Sequence, residues 1–157
     1  EGFQAGLSWL TVLRKRDRFR EVFAGFDPAV VAQYGETEVE LLLGDAGIIR
    51  HRGKIESTIN NAARCLELAE QFGSLAGWLW SWEPDQSVRE IDGSIPASTP
   101  TSAALSRDLK TRAWSFIGPT TIYAFMQAVG MVNDHLPNCW AYPAVEAERA
   151  ALLRPVQ

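Results

Sequence analysis

Residues 45–55 read DAGIIRHRGKI. Two glycines, Gly47 and Gly53, frame the apolar pair Ile48 and Ile49 and the polar run Arg50, His51, Arg52 and Lys54. Upstream, the capping-box pattern TEVE at Thr37–Glu40 opens a short helical segment that runs through Leu43 to Gly44. Downstream, Ile55, Ile59, Ala62, Leu66 and Ala69 recur at helical spacing as far as Gly73. The stretch is therefore a tight hairpin over 45–55 between two helices, the second beginning near His51. Glycines let the backbone turn sharply and leave its amides facing outward, and the start of a helix carries partial positive charge. Such a turn attracts anions, phosphate among them. On these residues alone two readings stand: an anion-binding helix-hairpin-helix element, or an ordinary turn between packed helices.

The rest of the chain also reads as helix. Leu10, Leu13, Val22 and Phe23 predict one amphipathic helix over 3–23. Asp27-Pro28 is an N-cap followed by a first-turn proline, opening PAVVAQY. Ser74 is read as the cap of SLAGWLWSW, Thr101 as the cap of SAALSRDLKTR, and Gly118-Pro119 opens TTIYAFMQAVG, closed by Gly130. Residues 83–100, EPDQSVREIDGSIPASTP, lack both periods and read as a loop. The fold class is all-α. With 157 residues, 46% of them apolar, the chain is expected to form a single helical domain over 1–157 around one substantial core.

The net charge of −4 argues against a general nucleic-acid binder, but nine of the fifteen Lys and Arg lie in the first 64 residues. Many sit in RKRDRFR (Arg14–Arg20) and in the hairpin. Charges beyond about 10 Å are screened, so a local basic face can hold phosphates on an acidic protein. Read alone, Arg14–Arg20 is equally a solvated helix face. No apolar run approaches the roughly 20 residues of a membrane span, and no signal peptide is apparent, so a cytoplasmic protein without membrane partners is expected. Neither Cys65 nor Cys139 indicates a disulfide. The chain opens as EGFQAGLSW, without Met or a capping residue, so its start reads as cut.

Four segments, EGFQAGLSW, DAGIIRHRGKI, IPASTPTS and FMQAVGMVNDH, occur in an order that resembles the DNA-3-methyladenine glycosylase I (Tag) family of bacteria, within the helix-hairpin-helix superfamily. The resemblance runs from Glu1 to about Cys139. It implies a helix-hairpin-helix glycosylase fold and a monomeric base-excision repair enzyme. Such an enzyme binds double-stranded alkylated DNA, flips out a nucleotide and hydrolyses the bond between 3-methyladenine and its sugar. An alternative keeps the hairpin and loses the chemistry: a non-catalytic helix-hairpin-helix DNA-binding module.

A base methylated at N3 is cationic, so it favours an aromatic face and a carboxylate that accepts from its exocyclic amine. The resemblance assigns the stacking role to Trp9 and the base contact to Glu1. Read alone, Trp9 suits a core position and Glu1 an exposed terminus. Eight residues apart on the expected helix, they would share a face a little over two turns apart. The family's Gly-Leu region approaches DNA, which makes Gly6 and Leu7 candidate contacts and Leu7 a wedge filling the space of the flipped nucleotide. Core packing is the other reading of Leu7, and Gln4 joins the pocket candidates on spacing. From the hairpin, Gly47, Ile48, Arg50, His51, Arg52, Gly53 and Lys54 are expected DNA contacts.

Many superfamily members place a catalytic aspartate beyond the hairpin, and the Tag family lacks it; no aspartate occurs from Ala46 to Pro84. Bifunctional members use a lysine near the hairpin as nucleophile. Lys54 compares superficially, but a phosphate contact and a monofunctional enzyme are the expectation. Finally, His135 and Cys139 flank Pro137, and both residue types bind zinc. As a bare pair they are also read as coincidence. The resemblance implies a structural zinc held by these two together with a Cys and a His of an N-terminal segment. That segment is not seen ahead of Glu1, so an incomplete site with weak zinc binding is expected.

Overall fold

A computed structural model describes residues 1–85 and 94–155. Among these, nine α-helices follow one another: α1 Trp9–Leu13, α2 Arg16–Val22, α3 Pro28–Val31, α4 Glu36–Gly44, α5 Arg52–Phe72, α6 Leu75–Trp80, α7 Pro100–Thr111, α8 Pro119–Ala128 and α9 Tyr142–Ala151. Two 3-10 turns, Gly2–Gln4 and Ala24–Phe26, complete the order. The all-α expectation holds, with no strand among the described residues. The middle of the expected loop, 86–93, lies outside them. No described helix is long and apolar enough to cross a membrane.

The core is two apolar clusters rather than one. Phe19, Phe23, Val31, Val39, Leu42, Ile48, Ile55 and Ala62 form the first, and Leu68 joins Trp78, Leu105, Leu109, Tyr123 and Met126 in the second. Helix α5 belongs to both. At 21 residues it is about 30 Å long, enough to run the length of the two.

Several boundaries differ from the sequence reading. The expected helix over 3–23 is broken twice, because Gly6 takes a left-handed φ of 74° and Ser8 then caps α1, its hydroxyl accepting the Thr11 N–H at 3.2 Å. A glycine at positive φ and a cap together override the apolar period. A second turn at Arg14 and Lys15 separates α1 from α2. Helix α7 starts two residues early, capped by Thr99, whose hydroxyl accepts from the Ser102 N–H while Ser102 Oγ accepts from the Thr99 N–H. Helix α4 likewise begins earlier, where the Glu38 carboxylate accepts the Gly35 N–H at 2.7 Å. Helix α9 was not foreseen; Asn133 reaches it through Glu146, and Arg149 bonds back to the Gly130 carbonyl.

Candidate active site

The N-terminal residues form a small knot instead of a helix. Gln4 N–H donates to the Glu1 carbonyl, Ala5 to Gly2, and Leu7 to Gln4. Beneath the knot the Phe3 ring packs on Phe19 and Phe23, with centroids 4.4 and 5.9 Å apart. The knot and the Ser8 cap bring Glu1 and Trp9 onto the wall of one cavity of about 230 Å³, with Gln4, Arg16 and Phe26. The two thus meet at one pocket, though not on one helical face. Trp9 is 59% exposed, so its ring is available for stacking rather than spent on the core. Leu7 is 40% exposed beside the open turn at Gly6, where glycine is required by φ and not by space.

A second cavity of about 390 Å³ shares Glu1, Phe3 and Phe26 with the first and is further lined by Lys54, Asn61 and Cys65. Phe26 escaped the sequence reading. It has a φ of 62°, remains 46% exposed, and stacks on buried Phe23 at 5.6 Å and 8°. It thus lines both cavities in a backbone conformation that costs of order 1–3 kcal/mol in a residue other than glycine. The signal for it was Gly25, itself at positive φ, directly before Phe26 and the Asp27-Pro28 cap. Burial pushes the Cys65 thiol up to about 11, which keeps it protonated.

The hairpin is a real turn between α4 and α5, but its groups are disposed differently from expectation. Gly47 donates its N–H to Asp45 Oδ1 at 2.7 Å, and Asp45 Oδ2 accepts from Arg18 Nε at 2.7 Å. A Cβ on Gly47 would lie 2.7 Å from Arg18 Cγ and 2.9 Å from Asp45 Oδ1, so any other residue there would have to displace the Arg18–Asp45 pair. Ile48 turns inward, 2% exposed, and pins the turn to the core instead of facing outward. His51 caps α5: its Nδ1 accepts the Lys54 N–H at 3.2 Å, which leaves the ring proton on Nε2. The N–H groups of Arg52 and Gly53 have no hydrogen-bond partner among the described residues and remain open to an anion.

The four expected cationic or donor side chains divide sharply. Arg50 is exposed without an ion pair among the described residues. Arg52 is enclosed by Glu36 at 2.8 Å, Glu56 at 3.4 Å, and Glu40. Lys54 is 6% exposed and points inward, its ammonium donating to the Phe3 and Ala5 carbonyls at 2.9 and 2.6 Å. Its expected phosphate contact is thus corrected: a chain separation of 51 residues hides this pairing from any local pattern.

In the loop after α8, His135 Nδ1 and Cys139 Sγ stand 3.6 Å apart. Zinc–nitrogen and zinc–sulfur bonds of about 2.0 and 2.3 Å at a tetrahedral angle separate the two donors by about 3.5 Å. The pair therefore fits one edge of a tetrahedral site. Among the described residues no cluster of three or more His, Cys, Asp or Glu completes it.

Residues 1–142 match the family described as methyladenine glycosylase. The chain belongs to that family. It is 47% identical over 146 residues to DNA-3-methyladenine glycosylase 1 of Escherichia coli K12, covering 91% of this chain and 78% of that protein. The Haemophilus influenzae Rd DNA-3-methyladenine glycosylase is 42% identical over 142 residues, with coverages of 88% and 77%. Among solved structures, 3-methyladenine DNA glycosylase I from Staphylococcus aureus, described for its 3-methyladenine recognition, superposes with a TM-score of 0.84 at 34% identity over 90% of this chain and 77% of that one.

For this methyladenine glycosylase family member the turn at Asp45 offers a test independent of substrate. The Gly47 N–H, and then Arg18, hold the Asp45 carboxyl below its ordinary 3.8. A carboxyl lowered on folding stabilises the fold above its unfolded pKa, and that stabilisation is lost as pH falls through the folded value. Asp45→Asn should therefore melt below the parent at pH 7, and the gap should close at pH values under 3.8. A gap unchanged with pH, measured by thermal unfolding, would show that the carboxylate charge does not stabilise the turn.

Proposed function

We propose that this chain is a monofunctional glycosylase that hydrolytically removes 3-methyladenine from double-stranded alkylated DNA, acting as a monomer in the bacterial cytoplasm. The observation that carries the reading is the meeting of Glu1 and the exposed Trp9 on the wall of one cavity. Relatives bearing the name of this activity support it. Methylation at N3 leaves the base cationic and weakens its glycosidic bond, so recognition supplies much of the catalysis. Stacking of the cation on Trp9 is worth about 0.5–2 kcal/mol or more when desolvated. Glu1 accepts from the exocyclic amine, Phe26 supplies a second aromatic wall, and Leu7 fills the gap left in the duplex. The open amides at the start of α5, with Arg50 and the exposed His51 ring, take the phosphate backbone. Lys54 already gives its ammonium protons to two carbonyls, which favours hydrolysis over lyase chemistry.

A further proposal concerns metal. His135 and Cys139 supply one edge of a structural zinc site, and zinc there would tie the loop between α8 and α9. With these two ligands alone the metal is held weakly. Elemental analysis after dialysis with zinc should find occupancy that a mild chelator removes and Cys139→Ser abolishes. Tight zinc that survives Cys139→Ser would rule the pair out.

Two measurements test the activity. Base release from methylated duplex should fall roughly 10- to 150-fold in Glu1→Gln, the size of a lost charged hydrogen bond, while affinity for unmodified duplex stays nearly unchanged. Full activity of the variant at neutral pH would remove Glu1 from the recognition role, and a parent protein that binds duplex but releases no base would be a DNA-binding module instead. For the hairpin, Arg50→Ala should flatten the slope of log affinity against log salt by about one unit. Arg52→Ala should change it less, because three carboxylates already offset that charge. Equal changes in the two slopes would refute this division.

A further inference from the structure

Lys54 is a buried ammonium with no carboxylate partner among the described residues. Taking a charge out of water is costly unless hydrogen bonds satisfy it, and burial here lowers the Lys54 pKa. An apolar side chain of similar length would escape that cost, so the lysine must perform a task. The hydrogen bonds of the N-terminal knot indicate which one. Within it the carbonyls of Glu1, Gly2 and Gln4 accept backbone N–H groups, whereas those of Phe3 and Ala5 accept none. Lys54 Nζ satisfies these two leftover carbonyls. The carbonyls flank Gln4, midway between Glu1 and the Gly6-Leu7 turn. The Lys54 backbone N–H, meanwhile, donates to the His51 cap at the hairpin. One residue is thus bonded at its main chain to the hairpin and at its side chain to the knot that carries Glu1 and Leu7.

We propose that Lys54 is a positioning residue that fixes the Glu1–Leu7 knot against the hairpin, so that the base-recognising carboxylate and the Leu7 wedge are held in register with the bound phosphate backbone. The inference rests on the glycosylase reading above and deepens it. Lys54 touches neither phosphate nor base; it acts through the carbonyls of Phe3 and Ala5. Losing it leaves the knot two unsatisfied carbonyls and frees Glu1 to wander from the pocket, while the open amides of α5 and Arg50 are untouched. Catalysis and base recognition should suffer, and backbone binding should not.

The test compares Lys54→Met and Lys54→Gln with the parent protein in four measurements: single-turnover release of 3-methyladenine from methylated duplex, affinity for free 3-methyladenine, affinity for unmodified duplex across salt, and thermal unfolding. Lys54→Met should unfold cooperatively, bind unmodified duplex with the parent affinity and salt slope, and release base at least tenfold more slowly, with weakened binding of free 3-methyladenine. Lys54→Gln, which keeps an uncharged donor on a shorter chain, should fall between the two, and it decides the matter if the methionine variant does not fold. Release within twofold of the parent in a folded variant overturns the proposal. So does a salt slope reduced by about one unit, the mark of a phosphate contact. If the parent itself releases no 3-methyladenine, the glycosylase reading falls and this inference with it; an active parent beside a fully active variant sinks only the role of Lys54.

Discussion

The first turns of α5 are the constraint from which the candidate site is hung. Ile55 is completely buried there, which fixes the helix against the first core cluster. Polar groups from the same turns then tie down three separate segments. Lys54 takes the N-terminal knot, its main-chain N–H binds the hairpin through the His51 cap, and Ser57, Asn60 and Asn61 take the loop after α7. That loop holds Ala113 and Phe116 at φ of 61° and 54°, conformations that cost of order 1–3 kcal/mol each in residues other than glycine. Asn61 offsets part of the strain by closing a two-way pair with the Ser115 main chain, 2.9 and 3.0 Å. The Phe116 ring is thereby set edge-on to His51, with centroids 6.0 Å apart, and within 3.7 Å of a Cβ placed on Gly53. The hairpin is buttressed from behind as well as from within.

Electrostatics at the hairpin follow from packing rather than from composition. A cation in the first turn of a helix opposes the helix dipole, so Arg52 at the head of α5 gains by borrowing carboxylates from α4 and from its own next turn. Exposed ion pairs are worth little each, about 0–1 kcal/mol. Their larger effect is on the field an approaching phosphate meets, because three acids stand around one arginine while Arg50, two residues away, stands clear. Asp45 does the same on the other side of the turn, occupying the Gly47 amide and pairing with Arg18. What remains directed at an anion is a narrow patch: the Arg52 and Gly53 amides, the exposed His51 ring and Arg50.

How much of this was legible in the sequence depended on the range of the interaction concerned. The hairpin, the α5 stripe from Ile55 to Ala62, the Ser74 and Gly118-Pro119 starts and the joint approach of Glu1 and Trp9 to one pocket all rest on short-range chemistry or on a motif quoted whole; farther along α5 the expected stripe fails, Leu66 being exposed while Leu68 enters the core. The misreadings are non-local or competitive. Periodicity alone carried one helix across Gly6, where a left-handed turn and the Ser8 cap prevail. Thr101 reads as the cap of SAALSRDLKTR, but Pro100 takes the first helical position and Thr99 caps the helix. Lys54 in a helical first turn next to two arginines looks solvated, and only the return of Phe3 and Ala5 from 51 and 49 residues earlier buries it. Phe26 is betrayed locally by its flanking Gly25 and Asp-Pro, but its exposure beside Glu1 is a tertiary fact.

The chemical furniture of the two cavities that share Glu1, Phe3 and Phe26 bears on which substrates this architecture suits. Cys65 is held as a neutral thiol by burial, Lys54 is committed to two carbonyls, and the stretch after the hairpin carries no aspartate. Glu1, an acceptor, and the aromatic residues Trp9 and Phe26 line the space, together with Gln4, Arg16 and Asn61. On the roles proposed for Glu1, Trp9 and Phe26, such a wall suits a base that is already cationic. The burden of bond breaking then falls on the charge already present on the base. Under the proposed roles selectivity and rate are coupled: a neutral base would lose the attraction to Glu1 and to the aromatic faces together with the weakened bond. Under the proposed recognition role of Glu1, its positioning by a few main-chain hydrogen bonds then bears on rate as well as on binding.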